Sequence, residues 1–181
     1  MKAYRILSVL AVAFVVVLGG CSTAPTTAAK RASLHQDVLA TISRFKQEDP
    51  SMRRLFDDAA GYAVFPSVGK GAIGVGGAYG RGELFEYGQV TGYCDMAQAT
   101  IGFQLGGQAY SELIFFETAT ALTRFRRGNF AFAAQVSAVA ATAGASADAD
   151  YESGVIVFTM PKGGLMYEAS VGGQKFNFES R

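Results

Sequence analysis

Gly69-Lys70-Gly71-Ala72-Ile73-Gly74 fits the pattern G-x-G-x-x-G. In a dinucleotide-binding fold those glycines open a helix whose first turn holds a pyrophosphate. Here Val75-Gly76-Gly77-Ala78-Tyr79-Gly80 comes next, which is too glycine-rich to be that helix. A P-loop fails as well, because Gly71 stands after Lys70 where a serine or threonine is required. Glu83, Glu86, Glu112 and Glu117 are the candidates for a carboxylate pair doing acid–base work, but sequence alone brings no two of them together, and solvated or ion-paired surface positions are the commoner role. Asp148, Asp150 and Glu152 alternate, so on a strand they would share one face. They lack the glycine and ligand spacing of a known calcium loop. His35 is the single histidine, which weakens every His-dependent metal or nucleophilic site. The side chains therefore favour a non-catalytic protein and imply no cofactor and no metal.

The 181-residue chain is 50% hydrophobic and 17% charged, which marks a globular protein rather than a disordered one. Its formal charge is +1. Removing Lys2 and Arg5 with an N-terminal signal leaves 14 basic against 15 acidic residues. That balance excludes a global positive field of the kind that draws proteins to nucleic acid. Electrostatic contacts must be local. Of two cysteines, Cys21 and Cys94, the first belongs to the N-terminal signal region. That leaves Cys94 without an intrachain disulfide partner, and a lone thiol of this kind is expected to be buried and inert.

The elements that must position these residues begin with a helix. Ser33-Leu34-His35-Gln36 matches a capping box, and Leu34, Val38, Ile42 and Phe45 form one apolar stripe. Asp49 then caps a second helix with Pro50 at its first position, and Met52, Leu55 and Phe56 give it an apolar side. From Tyr62 the pattern becomes strand-like. Tyr62–Phe65 is a strand ended by Pro66, and the glycine-dense stretch to Gly82 suits bent or bulged strands. Further strands are expected at Glu83–Tyr87, Tyr93–Leu105 and Leu113–Phe116, and a helix from Thr118 to Arg127 interrupts the strand pattern. Arg124, Arg126 and Arg127 sit at that helix's C-terminus, where its dipole welcomes cations. Phe130 and Phe132 alternate with alanines as in a half-buried strand, and the alanine-rich continuation is open between strand and helix. Val155–Met160 and Leu165–Val171 bracket Pro161-Lys162-Gly163-Gly164 as a hairpin. The fold class is α+β, with N-terminal helices packed on a curved, barrel-like antiparallel sheet.

The N-terminus has the layout of a secretory signal. Lys2 and Arg5 precede an apolar run from Ile6 to Leu18, too short to span a bilayer. Leu18-Gly19-Gly20-Cys21 closes it and resembles the lipobox of bacterial lipoproteins. That resemblance implies cleavage before Cys21, a diacylglycerol on its thiol, and a membrane-tied protein outside the cytoplasm. Residues 1–20 are then a signal peptide and 21–29 a flexible tether, with one domain from 30 to 181. Ser22 in the second mature position, where aspartate would favour inner-membrane retention, points to the periplasmic face of the outer membrane.

Three blocks resemble the SYLF domain family. They are Tyr62–Gly71 continuing through Gly76–Gly82, then Gly106–Phe116, then Lys162–Leu165 with Ala169–Gly173. The resemblance implies lipid binding, with phosphoinositides the ligand of eukaryotic members and a basic amphipathic N-terminal helix contributing. The matching stretch here, Lys30 to Arg54, carries Lys30, Arg31, Arg44, Lys46, Arg53 and Arg54 against three acidic residues. Those six are the candidate contacts for anionic head groups, with Lys70, Arg81 and Lys162 from the shared blocks beside them. The expected function is an outer-membrane lipoprotein whose non-catalytic domain binds anionic phospholipid or phosphoinositide-like head groups. The alternative is an envelope protein bridging the membrane to a protein partner. Actin is a partner by analogy with yeast members alone, and nucleic acid is not a partner.

Overall fold

The computed structural model describes residues 23–73, 75–101, 108–128, 138–162 and 173–181. Cys21 and the signal, the Phe130–Phe132 stretch, Gly106-Gly107, and the Leu165–Val171 half of the expected hairpin lie outside them.

Helix α1 spans Ala28–Glu48. It starts before the Ser33 capping box, because Thr27 caps it by accepting from the Lys30 N–H at 3.2 Å. Asp49 ends α1 and caps a 3-10 turn, Pro50–Met52, with Pro50 in its first turn as the sequence predicts. Helix α2 follows at Arg53–Asp58. Strands β1 (Gly61–Ile73), β2 (Val75–Glu86), β3 (Gln89–Ile101) and β4 (Gln108–Phe116) are consecutive antiparallel elements or their neighbours. Helix α3 (Ala119–Arg126) matches expectation, capped by Thr118, with Leu122 and Phe125 buried. Strands β5 (Val139–Ala140), β6 (Val155–Pro161) and β7 (Gln174–Ser180) complete the sheet.

Pro66 does not end β1. The strand continues seven residues further, and the register slips at the proline against both neighbours. A proline has no N–H to give a ladder, so the bulge absorbs it. Its carbonyl accepts from the Ser111 hydroxyl at 2.9 Å. Gly82 has no room for a side chain: a Cβ there would lie 2.2 Å from the Val64 carbonyl oxygen.

The strand order is β5-β6-β4-β1-β2-β3-β7, antiparallel except for the β5–β6 pair. The sheet is α+β as expected and curved, but it is not closed into a barrel. It curls until Phe176 on β7 meets Phe65 on β1 and Phe125 on α3, at ring separations of 5.8 and 5.2 Å. Each face therefore has its own core. One is built on Phe65, Ile114, Phe116, Phe125 and Phe176 under α3, and the other on Val38, Phe45, Val64, Phe115 and Phe158 under α1 and α2.

Candidate functional site

The stretch expected to be a free tether is docked. The Thr23 hydroxyl donates to Asp95 at 2.8 Å, and the Ala24 N–H donates to Glu179 at 3.0 Å. Arg31 reaches back from α1 to the Pro25 carbonyl at 2.9 Å. Asn177 holds the second oxygen of Asp95 at 2.7 Å. Residues 23–25 thus form a strap across β3 and β7, on the sheet face that α1 partly covers.

Rungs of the sheet order what lies on that face. Glu83, Tyr93 and Glu179 make one rung across β2, β3 and β7. The next is Arg81, Asp95 and Asn177, and the next after that is Tyr79, Ala97 and Lys175. The last rung continues through Gly69 and Ala109 to Lys162, whose N–H donates to the Ala109 carbonyl at 2.9 Å. Nothing among the described residues covers this row. Lys162, Ala97 and Lys175 are exposed, Tyr79 is 51% exposed, and a Cβ on Gly69 would meet nothing within 4 Å. Arg81 donates to the Tyr79 hydroxyl at 3.2 Å, and its Nε has no hydrogen-bond partner among the described residues. Asp95 and Glu112, the carboxylates on the same halves of their strands, are both buried.

Among the expected head-group contacts, the fold brings Arg81 and Lys162 to this row. Lys70 occupies the next position along β1, paired with Ala78 and Gln108. The helical candidates do not gather into one face. Arg31 is turned to the strap, and Lys46 lies 4.2 Å over the Phe56 ring. Lys30, Arg44, Arg53 and Arg54 are exposed. Between its cations the outer surface of α1 exposes Ser33, Gln36, Asp37, Ala40, Ser43 and Gln47 together with the apolar Leu39, which is 48% exposed. Tyr79 and Lys175 are additions that sequence reasoning missed. Gln174, Phe176 and Phe178 alternate with polar residues, a period-two signal that could have found β7 and with it Lys175.

The four glutamates form no pair. Glu83, 2% exposed, lies 2.8 Å from Nδ1 of His35. Glu86 accepts from Arg126 at 3.0 Å, and Glu117 is exposed. Glu112 is fully buried on the opposite face from Glu83, since its rung partner is Phe65 and that of Glu83 is Val64. Burial pushes the Glu112 carboxyl up to about 7, against the pull of hydrogen bonds from Gln174 and Tyr110. Burial also pushes the Cys94 thiol well up, helped by the nearby charges of Asp95, Glu83 and Glu112. Cys94 is therefore an inert core residue. His35 and Glu83 line a groove of about 640 Å³ between the strap, α1 and the β3–β7 edge, together with Arg31, Tyr93 and Arg181. Asp148, Asp150 and Glu152 are exposed in a loop rather than on a strand face. Among the described residues no three His, Cys, Asp or Glu side chains come together as a metal site. No helix among them is long and apolar enough to cross a membrane.

Comparison with known proteins bears on this geometry. Residues 97–180, from the exposed row on β3 to the end of β7, match the family model Ysc84, described as a Las17-binding protein actin regulator. Those residues are a Ysc84-type SYLF domain. The likeness extends further toward the N-terminus in a curated relative, Beta cell expansion factor A of Aeromonas veronii. It is 30% identical over an alignment of 155 residues that covers 82% of this chain. The chain spans 58% of that relative's length. A SYLF domain is a binding module rather than a catalytic one. Within it, the Tyr79–Lys175 row joins strands of the matched segment to β1 and β2 ahead of it.

Proposed function

We propose that this protein is a non-catalytic lipid-binding lipoprotein at the periplasmic face of the outer membrane. Acyl chains on Cys21 hold it there, and exposed lysines and arginines contact anionic phospholipid or phosphoinositide-like head groups. The lipobox-like sequence and the SYLF domain support the reading. The observation that carries it is the docked strap. Thr23 is fixed to the body two residues after Cys21, so an anchored body has almost no lead and lies against the head groups. Each basic residue close to an anionic surface contributes about 1 kcal/mol.

Vesicle flotation of a form beginning at Ser22 tests the head-group contact. It is expected to float with vesicles rich in phosphatidylglycerol and to stay behind with neutral ones. Equal behaviour toward both would sink the claim. Incorporation of labelled fatty acid into the full chain, and its loss in Cys21→Ser, tests the anchor.

A second reading is an envelope protein that bridges the membrane to a protein partner. The family description, which names a protein target, favours it. Under this reading the unlipidated domain ignores vesicles of every composition and captures one defined protein from envelope extract.

A further inference from the structure

We propose that the groove between the strap, α1 and the β3–β7 edge binds a small organic carboxylate with a short apolar body, and that this occupant holds the strap down. The groove exists because of residue size along one stripe of α1. Further along the helix that stripe carries Val38 and Phe45, both fully buried against the sheet. In its first two turns it carries Ala28, Arg31, Ala32 and His35, and the alanine methyls do not reach where a phenylalanine would. About 640 Å³ is left, within the usual range for a small-molecule site.

The walls set the charge of the occupant. Two carboxylates line the groove, and both are engaged. Glu83, buried on β2, meets Nδ1 of His35 at 2.8 Å, and Glu179 on β7 accepts the Ala24 N–H at 3.0 Å. The guanidiniums have more to give. Arg31 spends one N–H on the Pro25 carbonyl, out of the five that such a group presents. Arg181 is fixed through its backbone N–H, which donates to the Thr91 carbonyl at 3.0 Å, and it too lines the groove. Among the described residues neither guanidinium has a carboxylate within salt-bridge reach. What remains is a pair of planar donor forks, which match the two oxygens of a carboxylate. A doubly charged phosphate fits less well, because Glu83 and Glu179 stand in the same walls and repel the second charge. The apolar lining is the methyls of Ala24, Ala28 and Ala32 and the ring of Tyr93. That suits an aryl ring or a chain of a few carbons, whereas a long acyl chain would lie mostly against polar groups.

The strap supplies one wall through Ala24, and Arg31 clips it at Pro25. That wall stands only while the strap is docked. An occupant that touches it therefore favours the docked state, and the docked strap favours the occupant by the same factor. Neither effect requires a lipid on Cys21.

The test titrates the full chain, in one detergent solution throughout, with benzoate, hexanoate, benzylamine and inorganic phosphate in a calorimeter. The expected result is one site for each carboxylate and none for the amine or the phosphate. Arg31→Gln and Arg181→Gln are each expected to weaken benzoate about tenfold or more, the scale of a lost charged hydrogen bond. Ala32→Leu keeps every charge but fills the space, and is expected to abolish binding. Lys30→Gln, on the same helix but outside the lining, is expected to change nothing. Circular dichroism establishes that each variant is folded. Benzoate is also expected to slow amide exchange from Ala24 to Arg31 several-fold, and Thr23→Val to weaken benzoate. A folded chain that takes up neither carboxylate overturns the proposal, and equal uptake of benzylamine or phosphate overturns the ligand class. Benzoate binding that survives Ala32→Leu overturns the location. Binding with no slowing of exchange overturns the hold on the strap.

Discussion

Gln174 donates its side-chain N–H to Glu112 at 2.9 Å, although the two stand on β7 and β4, strands separated by three others in the sheet. The bond exists because the sheet curls until its last strand covers its own inner face. It also places a carboxyl in a core otherwise built of phenylalanines, with Tyr110 as a second neighbour at 3.4 Å from Gln174.

The pH dependence of stability derives from that position. Burial holds the Glu112 carboxyl at about 7, above its ordinary 4.5. A group raised in this way favours the folded state fully at low pH and loses that contribution as pH rises through 7. Between pH 4.5 and 8 the loss is roughly 3 kcal/mol. Denaturant midpoints across this window are expected to fall for the natural chain and to stay nearly level for Glu112→Gln. A slope that persists unchanged in the variant would assign the effect elsewhere.

Asp49 works in the opposite direction. Burial alone would raise its carboxyl, but hydrogen bonds from Ser51, Ser146 and Gly144 outweigh it and bring the group to about 2. Its contribution is complete above pH 3.8 and disappears as pH falls through 2. Besides capping the 3-10 turn, Asp49 ties that turn to the loop at 144–146. Asp49→Ala is expected to cost about 2 kcal/mol at neutral pH and to flatten the acid limb of the unfolding curve. Acid titration followed by circular dichroism measures both.

Glycine at position 82 is a steric requirement, whereas glycine at 69 is not. A Cβ on Gly82 would strike the backbone of β1, which cannot give way without parting the two strands. Gly82→Ala is expected to cost at least about 3 kcal/mol or to prevent folding, while Gly69→Ala changes stability by less than about 0.5 kcal/mol. Thermal melts of the two variants side by side decide the point.

The strap makes a separate claim on hydrogen exchange. Thr23→Val keeps the shape of the side chain and removes its hydroxyl from Asp95. Global stability should fall by only about 1 kcal/mol. Exchange of the amides from Ala24 to Arg31 should accelerate several-fold, while those of β1 to β4 keep their protection. Uniform acceleration throughout the chain would mean that the strap is part of the global fold rather than a local latch.

Local rules made much of this architecture legible. Asp49-Pro50 and Thr118 with Leu122 and Phe125 are short-range signals, and they found the turn after α1 and helix α3. Pro66 misled because a bulge depends on two partner strands that local sequence does not reveal. The strap was read as free because its polar, small residues are those of a linker. What fixes Thr23 is Asp95, 72 residues away, and what fixes Ala24 is Glu179, 155 residues away. The same holds for the exposed row: Lys162 stands out in its Pro-Lys-Gly-Gly turn and Lys175 does not, and only the strand order places them on one rung. The basic residues near the N-terminus drew attention because they cluster along the chain, yet α1 distributes them to both flanks of its buried stripe.

The strap joins the earliest described residues to some of the latest, and this has a consequence for biosynthesis. Thr23 and Ala24 leave the ribosome long before Asn177 and Glu179, which complete their berth. On the lipid-anchored reading proposed above, the anchor hangs on a slack line until those arrive. A chain broken off before β7 could still be acylated, but it would swing freely from the membrane. On that reading the docked strap reports that the polypeptide has been made through to β7, and a truncated copy would betray itself to a protease by its looseness.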